Sequence, residues 1–232
     1  MNRTHILYSA QNAFVATILI FALGALSFFA FEPSIGRAIT SQFVVSQRIT
    51  SEISFVATTS SSVMVGSIAG LTGGYATGTN RTVVNTNNPT GYNMTLAFPT
   101  TTSGRAMQAS SSAYISDYTP ASAGVADYNW IDNTTGQAAE FGYSVNASTT
   151  ASVVQAFRNN GTLCNQSGGS VSADKCWLNP TTTVVTIINS SVPSTSSTST
   201  IKFKVAVPSN PSPALPATYY YATGTLTAVV NP

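Results

Sequence analysis

Charge is what this sequence has least of. Asp, Glu, Lys and Arg make up 7% of its 232 residues, against about 25% in ordinary soluble domains, and Ser, Thr, Asn and Ala stand where charges usually stand. A formal net charge of +2 gives little electrostatic steering and little colloidal repulsion, a balance that favours self-association. It also excludes nucleic acid as a partner. After Arg37 the basic residues are Arg48, Arg81, Arg105, Arg158, Lys175, Lys202 and Lys204, scattered except for the last pair, whereas phosphate neutralisation needs clusters.

Histidine is nearly absent as well: the single one is His5, ahead of the body of the chain. Ser-His-Asp and Cys-His catalysis, and the usual zinc sites, therefore have no imidazole to work with beyond that leader. No phosphate-cradling glycine motif precedes a helix. Six carboxylates remain in the body, Glu52, Asp117, Asp127, Asp132, Glu140 and Asp174, with no spacing that marks an acid–base pair. The expected protein is not an enzyme and needs no cofactor.

What is present begins with an apolar run. Ala13 to Phe31 contains no charge and, as a helix, would be close to the thickness of a bilayer's hydrocarbon core. Arg3 precedes it, which favours keeping that end inside and exporting the rest. Two fates stay open for residues 1–38. Pro33 and the Gly36-Arg37-Ala38 triplet suit a cleaved signal peptide, and the length of the run suits a retained membrane-anchor helix. A retained helix could also pack in the core of a filament, as in pilin-like subunits. Either way residues 39–232 are expected outside the cell or on its surface.

Beyond Ala38 the hydrophobic period falls to two. Ile201, Phe203, Val205 and Val207 alternate with Lys202, Lys204 and Ala206; Tyr92, Met94, Leu96 and Phe98 share one parity, as do Phe141, Tyr143 and Val145. In the closing segment Tyr220, Ala222, Leu226, Ala228 and Val230 do the same, which predicts one final strand. Gly- and Pro-rich clusters such as NNPTGY and PSNPSPALP punctuate these runs as turns. About nine strands fit between Ile39 and Val230, at spacings that suit an all-β, antiparallel Greek-key or immunoglobulin-like sandwich behind one N-terminal hydrophobic helix. An irregular excursion, or a short extra hairpin, is expected around 105–137.

Through ITSQF, TSEISF, TNNPTGYNMT, EFGYSVNAS, CWLN and NPSPALP the body resembles uncharacterised exported surface proteins of candidate-phyla bacteria. It is also distantly similar to WxL-type cell-wall modules and spore-coat-type sandwiches. Trp177 is followed directly by Leu178, so the WxL spacing itself is missing. The resemblance implies a surface location and a β-sandwich, not an activity.

The only cysteines, Cys164 and Cys176, enclose a Gly- and Ser-rich loop and are expected to form a disulfide in an oxidising compartment. In the irregular region Tyr114, Tyr118, Tyr128 and Trp130 are candidate ligand-binding residues, since aromatic faces beside Asn and Asp suit glycan or protein surfaces; the competing role is to pack the excursion onto the sandwich. Asp127 and Asp132, with Asn129 and Asn133 beside them, offer oxygen ligands of the kind calcium takes, although solvated turns use the same residues. The expected function is assembly, coating or adhesion at the cell surface. Its partners would be the membrane, through an uncleaved helix, together with further copies, other surface proteins or glycans. A glycan-binding module using the Tyr128/Trp130 loop and a pilin-like filament subunit are the alternatives.

Overall fold

Two-residue alternation builds most of this chain, and one continuous helix builds the rest. The computed structural model describes residues 3–30, 44, 46–58, 64–149 and 152–232. By backbone contacts the chain divides into two compact units, Met1–Arg48 and Ile49–Pro232.

The first unit contains helix α1, Arg3–Ala30. Its described side chains, from 12 to 27, are exposed on every side, Phe14, Ile18, Phe21 and Leu26 among them. Thr17 and Ser27 return their hydroxyls to the backbone carbonyls of Ala13 and Gly24, each at 2.8 Å, so neither needs water. Among the described residues, no helix is long and apolar enough to cross a membrane. The processing signals expected between Pro33 and Ala38 lie outside the described residues.

Among the described residues the second unit holds ten strands: β1 (Ile53–Thr58), β2 (Gly74–Thr86), β3 (Tyr92–Ala97), β4 (Met107–Gln108), β5 (Tyr114–Asp117), β6 (Glu140–Ala147), β7 (Val185–Ser190), β8 (Ser194–Val207), β9 (Tyr221–Ala222) and β10 (Thr225–Val230). They form a seven-stranded sheet in the order β1-β2-β8-β6-β5-β4-β9 and a three-stranded sheet in the order β10-β3-β7. Long β2 and β8 pair almost end to end, from Gly74 opposite Val207 to Thr86 opposite Ser194.

The core lies between the two inner faces. Phe141, Tyr143 and Val145 of β6 and Ile201, Val205 and Val207 of β8 meet Tyr92, Met94 and Leu96 of β3 and Ile188 of β7 in one buried cluster. Phe98, just beyond β3, ties the sheets together, with its ring 6.1 Å from Phe141 edge-on and 5.9 Å from Tyr143. These are the alternating residues that the sequence pattern selects. Phe203 shares the inner face and stacks on Phe141 at 5.9 Å.

Two features depart from the expected antiparallel sandwich. Strands β5 and β6 pair in parallel, Ser116 opposite Glu140, because the chain leaves the sheet after β5 and returns in the same direction through the long excursion. The predicted closing strand is two strands in different sheets: β9 pairs with β4, and β10 pairs with β3. Between them Gly224 packs so close to Leu96 that a side chain there would meet its Cδ1 at 3.3 Å. The excursion does contain the short hairpin, β4–β5.

At the sandwich end, Gly91 takes φ +80° in the NNPTGY turn, and a Cβ at that position would stand 2.1 Å from the Ser190 carbonyl oxygen. Asn88 fixes the same turn, its amide donating to the Gly91 and Asn231 carbonyls at 2.8 Å each. Cys164 and Cys176 are bonded, with Cα atoms 5.7 Å apart. The link closes the long loop between the 3₁₀ turn Gln155–Phe157 and Trp177. The double variant Cys164→Ser/Cys176→Ser should lose about 3 kcal/mol of stability, most of it through greater freedom of the unfolded chain. Urea unfolding of the oxidised protein and of the variant measures the difference.

Candidate functional site

Tyr118, Trp130 and Asp132 of the excursion gather on the outer face of the large sheet. Strand register sets that face: Gly142 lies opposite Lys204, Thr77 opposite Lys204, and Glu140 and Tyr75 opposite Ala206. Residues directly opposite share a face, and these alternate with the core-facing Phe141, Tyr143, Phe203 and Val205. The lysines of IKFKV are thus turned away from the core, as their alternation predicts.

They are not turned into open water. Trp130 lies against Gly142, stacks on Tyr118 with ring centroids 4.2 Å apart, and meets Trp177 edge-on at 5.4 Å. A Cβ at position 142 would come within 2.9 Å of both the Trp130 ring and Tyr118 Cβ, so glycine is what lets the indole reach the sheet. Lys204 Nζ sits 4.7 Å from the Trp130 ring and 5.3 Å from the Tyr75 ring, and pairs with Asp132 Oδ1 at 3.4 Å. Lys202 forms an ion pair with Asp174. Each aromatic contact contributes about 0.5–1.5 kcal/mol and each cation–π contact a similar amount. The partly exposed ion pairs add less.

Backbone pairing holds the second tryptophan in place. Asp127 and Trp177 exchange N–H···O bonds of 2.9 and 2.8 Å, and Leu178 and Tyr143 exchange bonds of 2.8 and 3.0 Å, so the CWLN segment extends the sheet beside β6. Leu178 therefore enters the core while Trp177 faces the outer cluster, its indole N–H donating to the Asp174 carbonyl at 3.1 Å. The disulfide at Cys176 fixes the residue immediately before it.

The individual candidates divide as follows. Tyr118 is only 2% exposed; its hydroxyl donates to Asp127 Oδ2 at 2.6 Å and accepts the Ile131 N–H at 3.2 Å. Burial, with the Asp127 carboxylate beside it, pushes its phenol well above the ordinary tyrosine range. Trp130 is half-buried, and its indole nitrogen is buried without a hydrogen-bond partner. Tyr128 lies at the margin beneath Lys175 Nζ, 4.5 Å from the ring, and that ammonium also donates to Asn129 Oδ1 at 2.5 Å. Tyr114 belongs elsewhere, at the start of β5 in the register of the β4–β5 hairpin.

Asp127 and Asp132 are engaged by different partners. Asp127 accepts from Tyr118 and from the Ala121 N–H at 3.0 Å, while Asp132 serves Lys204. Among the described residues, no three His, Cys, Asp or Glu side chains gather closely enough to hold a metal ion. Glu140 is buried and accepts the Thr119 N–H at 3.2 Å; burial raises its pKa above the ordinary glutamate range.

Sequence reasoning missed Gly142, Trp177, Lys204 and Tyr75 as members of this cluster. A glycine between two core-facing aromatics was the available signal, because a central strand gives up a side chain where something approaches closely. Against known proteins, the chain matches no family model, no curated protein and no solved structure.

Three outcomes follow from this geometry. Gly142→Ala should cost about 1–3 kcal/mol by overpacking against Trp130 and Tyr118, measured by denaturant unfolding. Both tryptophans of the chain lie in the cluster, so their fluorescence reports the outer layer alone; it should unfold together with the far-UV signal of the sheets. In the folded protein Glu140 keeps its proton to higher pH than in the unfolded chain. Its contribution is therefore complete below the ordinary glutamate range and is lost as pH rises through the raised folded value. Asp117, also raised by burial, acts in the same direction. Glu140→Gln should reduce the fall of stability with pH across the mildly acidic range, as measured by urea unfolding at a series of pH values.

Proposed function

We propose that this chain is a non-enzymatic cell-surface protein: an exported β-sandwich, presented by its N-terminal helix, that acts through assembly, coating or adhesion. The observation that carries the reading is α1. It presents apolar side chains such as Phe14, Ile18, Phe21 and Leu26 and satisfies its described hydroxyls internally, which suits cover by lipid or other apolar helices. The disulfide agrees with an oxidising, extracellular location. The outer-face cluster agrees with the same reading, since Lys202 and Lys204 are paired with Asp174 and Asp132, and Asp127 is held by Tyr118. The likeness to exported surface proteins of candidate-phyla bacteria, and a Greek-key winding of the sandwich, belong to this proposal.

Assembly has a specific edge available to it. Strand β1 is the last strand of the large sheet, bears neither charge nor proline, and exposes Phe55 and Val56. Such an edge lacks two of the usual devices that block pairing with a neighbour, charge and proline, and carries a third only as the register shift between Phe55 and Ala57. Protease applied to intact cells should digest the sandwich while cytoplasmic proteins survive, and a chain lacking residues 1–38 should stay inside; full protection of the native protein on intact cells would sink the proposal. The N-terminal residue of the natural protein decides between a cleaved and a retained helix. Val56→Lys should lower the sedimentation coefficient of any assembly that forms through β1, with the melting temperature unchanged.

A further inference from the structure

A second aromatic surface lies apart from the Trp130 cluster, on the three short strands β5, β4 and β9. Register places Tyr114 opposite Gln108, and Gln108 opposite Tyr221, so the three side chains form one row across the sheet. Their neighbours Ile115, Met107 and Ala222 form the matching row on the core side. Two strand spacings put Tyr114 and Tyr221 about 10 Å apart, with a glutamine between them. Tyr219, two residues before Tyr221 along the chain, flanks the row, its ring 6.4 Å from that of Tyr221 at a 32° tilt. Tyr219 is 79% and Tyr221 68% exposed, although burying a tyrosine ring is favourable and this protein buries Tyr92, Tyr118 and Tyr143.

We propose that Tyr114, Gln108, Tyr221 and Tyr219 form a platform for a neutral, unbranched polysaccharide. The C–H faces of successive sugar rings stack on aromatic faces, and a spacing of about 10 Å seats two sugars either side of an amide. Gln108 is held for that role: its Oε1 accepts the Ser103 N–H at 2.9 Å and its Nε2 donates to Thr102 at 3.1 Å, which leaves the second amide hydrogen for a sugar hydroxyl. The platform is electrically neutral. The ionised pair on these strands, Asp117 with Arg105 at 4.0 Å, involves a residue that shares parity with core-facing Ile115, not with Tyr114. A charged polymer would find no counter-charge in the row, and a second protein chain would find no aliphatic side chain in it. The proposal depends neither on α1 nor on the edge of β1.

The test is calorimetric titration of the full chain with cellohexaose, chitohexaose and laminarihexaose. At least one should bind, Tyr219→Ala/Tyr221→Ala should weaken that binding tenfold or more, and Tyr219→Trp/Tyr221→Trp should preserve it. Leu163→Ala, on the exposed disulfide loop, should leave it unchanged. Both tyrosines are exposed, so an unaltered melting temperature checks that the variants fold. No heat from any of the three sugars at millimolar concentration overturns the proposal, as does unchanged binding in the double alanine variant. A fall in sedimentation coefficient in that variant, without an effect on sugar binding, also overturns it and assigns the face to a second copy.

Discussion

Everything in the body depends on β6 and β8 being packed on both faces. Their paired residues point alternately into the sandwich and away from it, and neither direction ends in open solvent. On the inner side Phe141, Tyr143, Ile201 and Val205 meet the small sheet. On the outer side Gly142 and Lys204 receive Trp130. A one-residue slip in this pair would put lysine into the core and phenylalanine under the indole, so the register is determined from both faces at once.

The outer layer explains how a chain with so few charges places those it has. Lys202 and Lys204 are paired with Asp174 and Asp132, and Lys204 is also bracketed by two aromatic rings. An ammonium so placed covers the edge of the indole while keeping access to water, which suits a lysine with a long apolar stem. The disulfide acts on the same layer from a distance, because it anchors the residue before Trp177. Structural chemistry thus occupies the groups that a catalytic reading would want, while Tyr219 and Tyr221 are left uncovered.

The strands were legible because alternation is a local property. A sheet with one buried face forces a period of two, and TIKFKVAV, GYNMTLAF and EFGYSVNAS each carry it in consecutive residues. The disulfide was legible for a related reason, since two cysteines in one chain leave a single internal pairing. The candidate site was only half legible. Composition marks Tyr118, Tyr128 and Trp130 as a group, but whether a ring is a platform or a packing element depends on what lies across from it, and that is supplied by Gly142, Lys204 and Trp177 from other strands.

By itself, the sequence determined the all-β character of the body, the identity of the inward-facing residues and the helix that precedes it in the chain, because each follows from the period or kind of neighbouring residues. Tertiary structure alone decided which strands are neighbours. It turned β5 parallel to β6, divided the closing segment between two sheets, buried Tyr118, and set half-buried Tyr114 and exposed Tyr221 in one row. The physical reason is that pairing between strands is made by backbone groups common to every residue, so side-chain pattern specifies a face and leaves the partner to the packing of the whole.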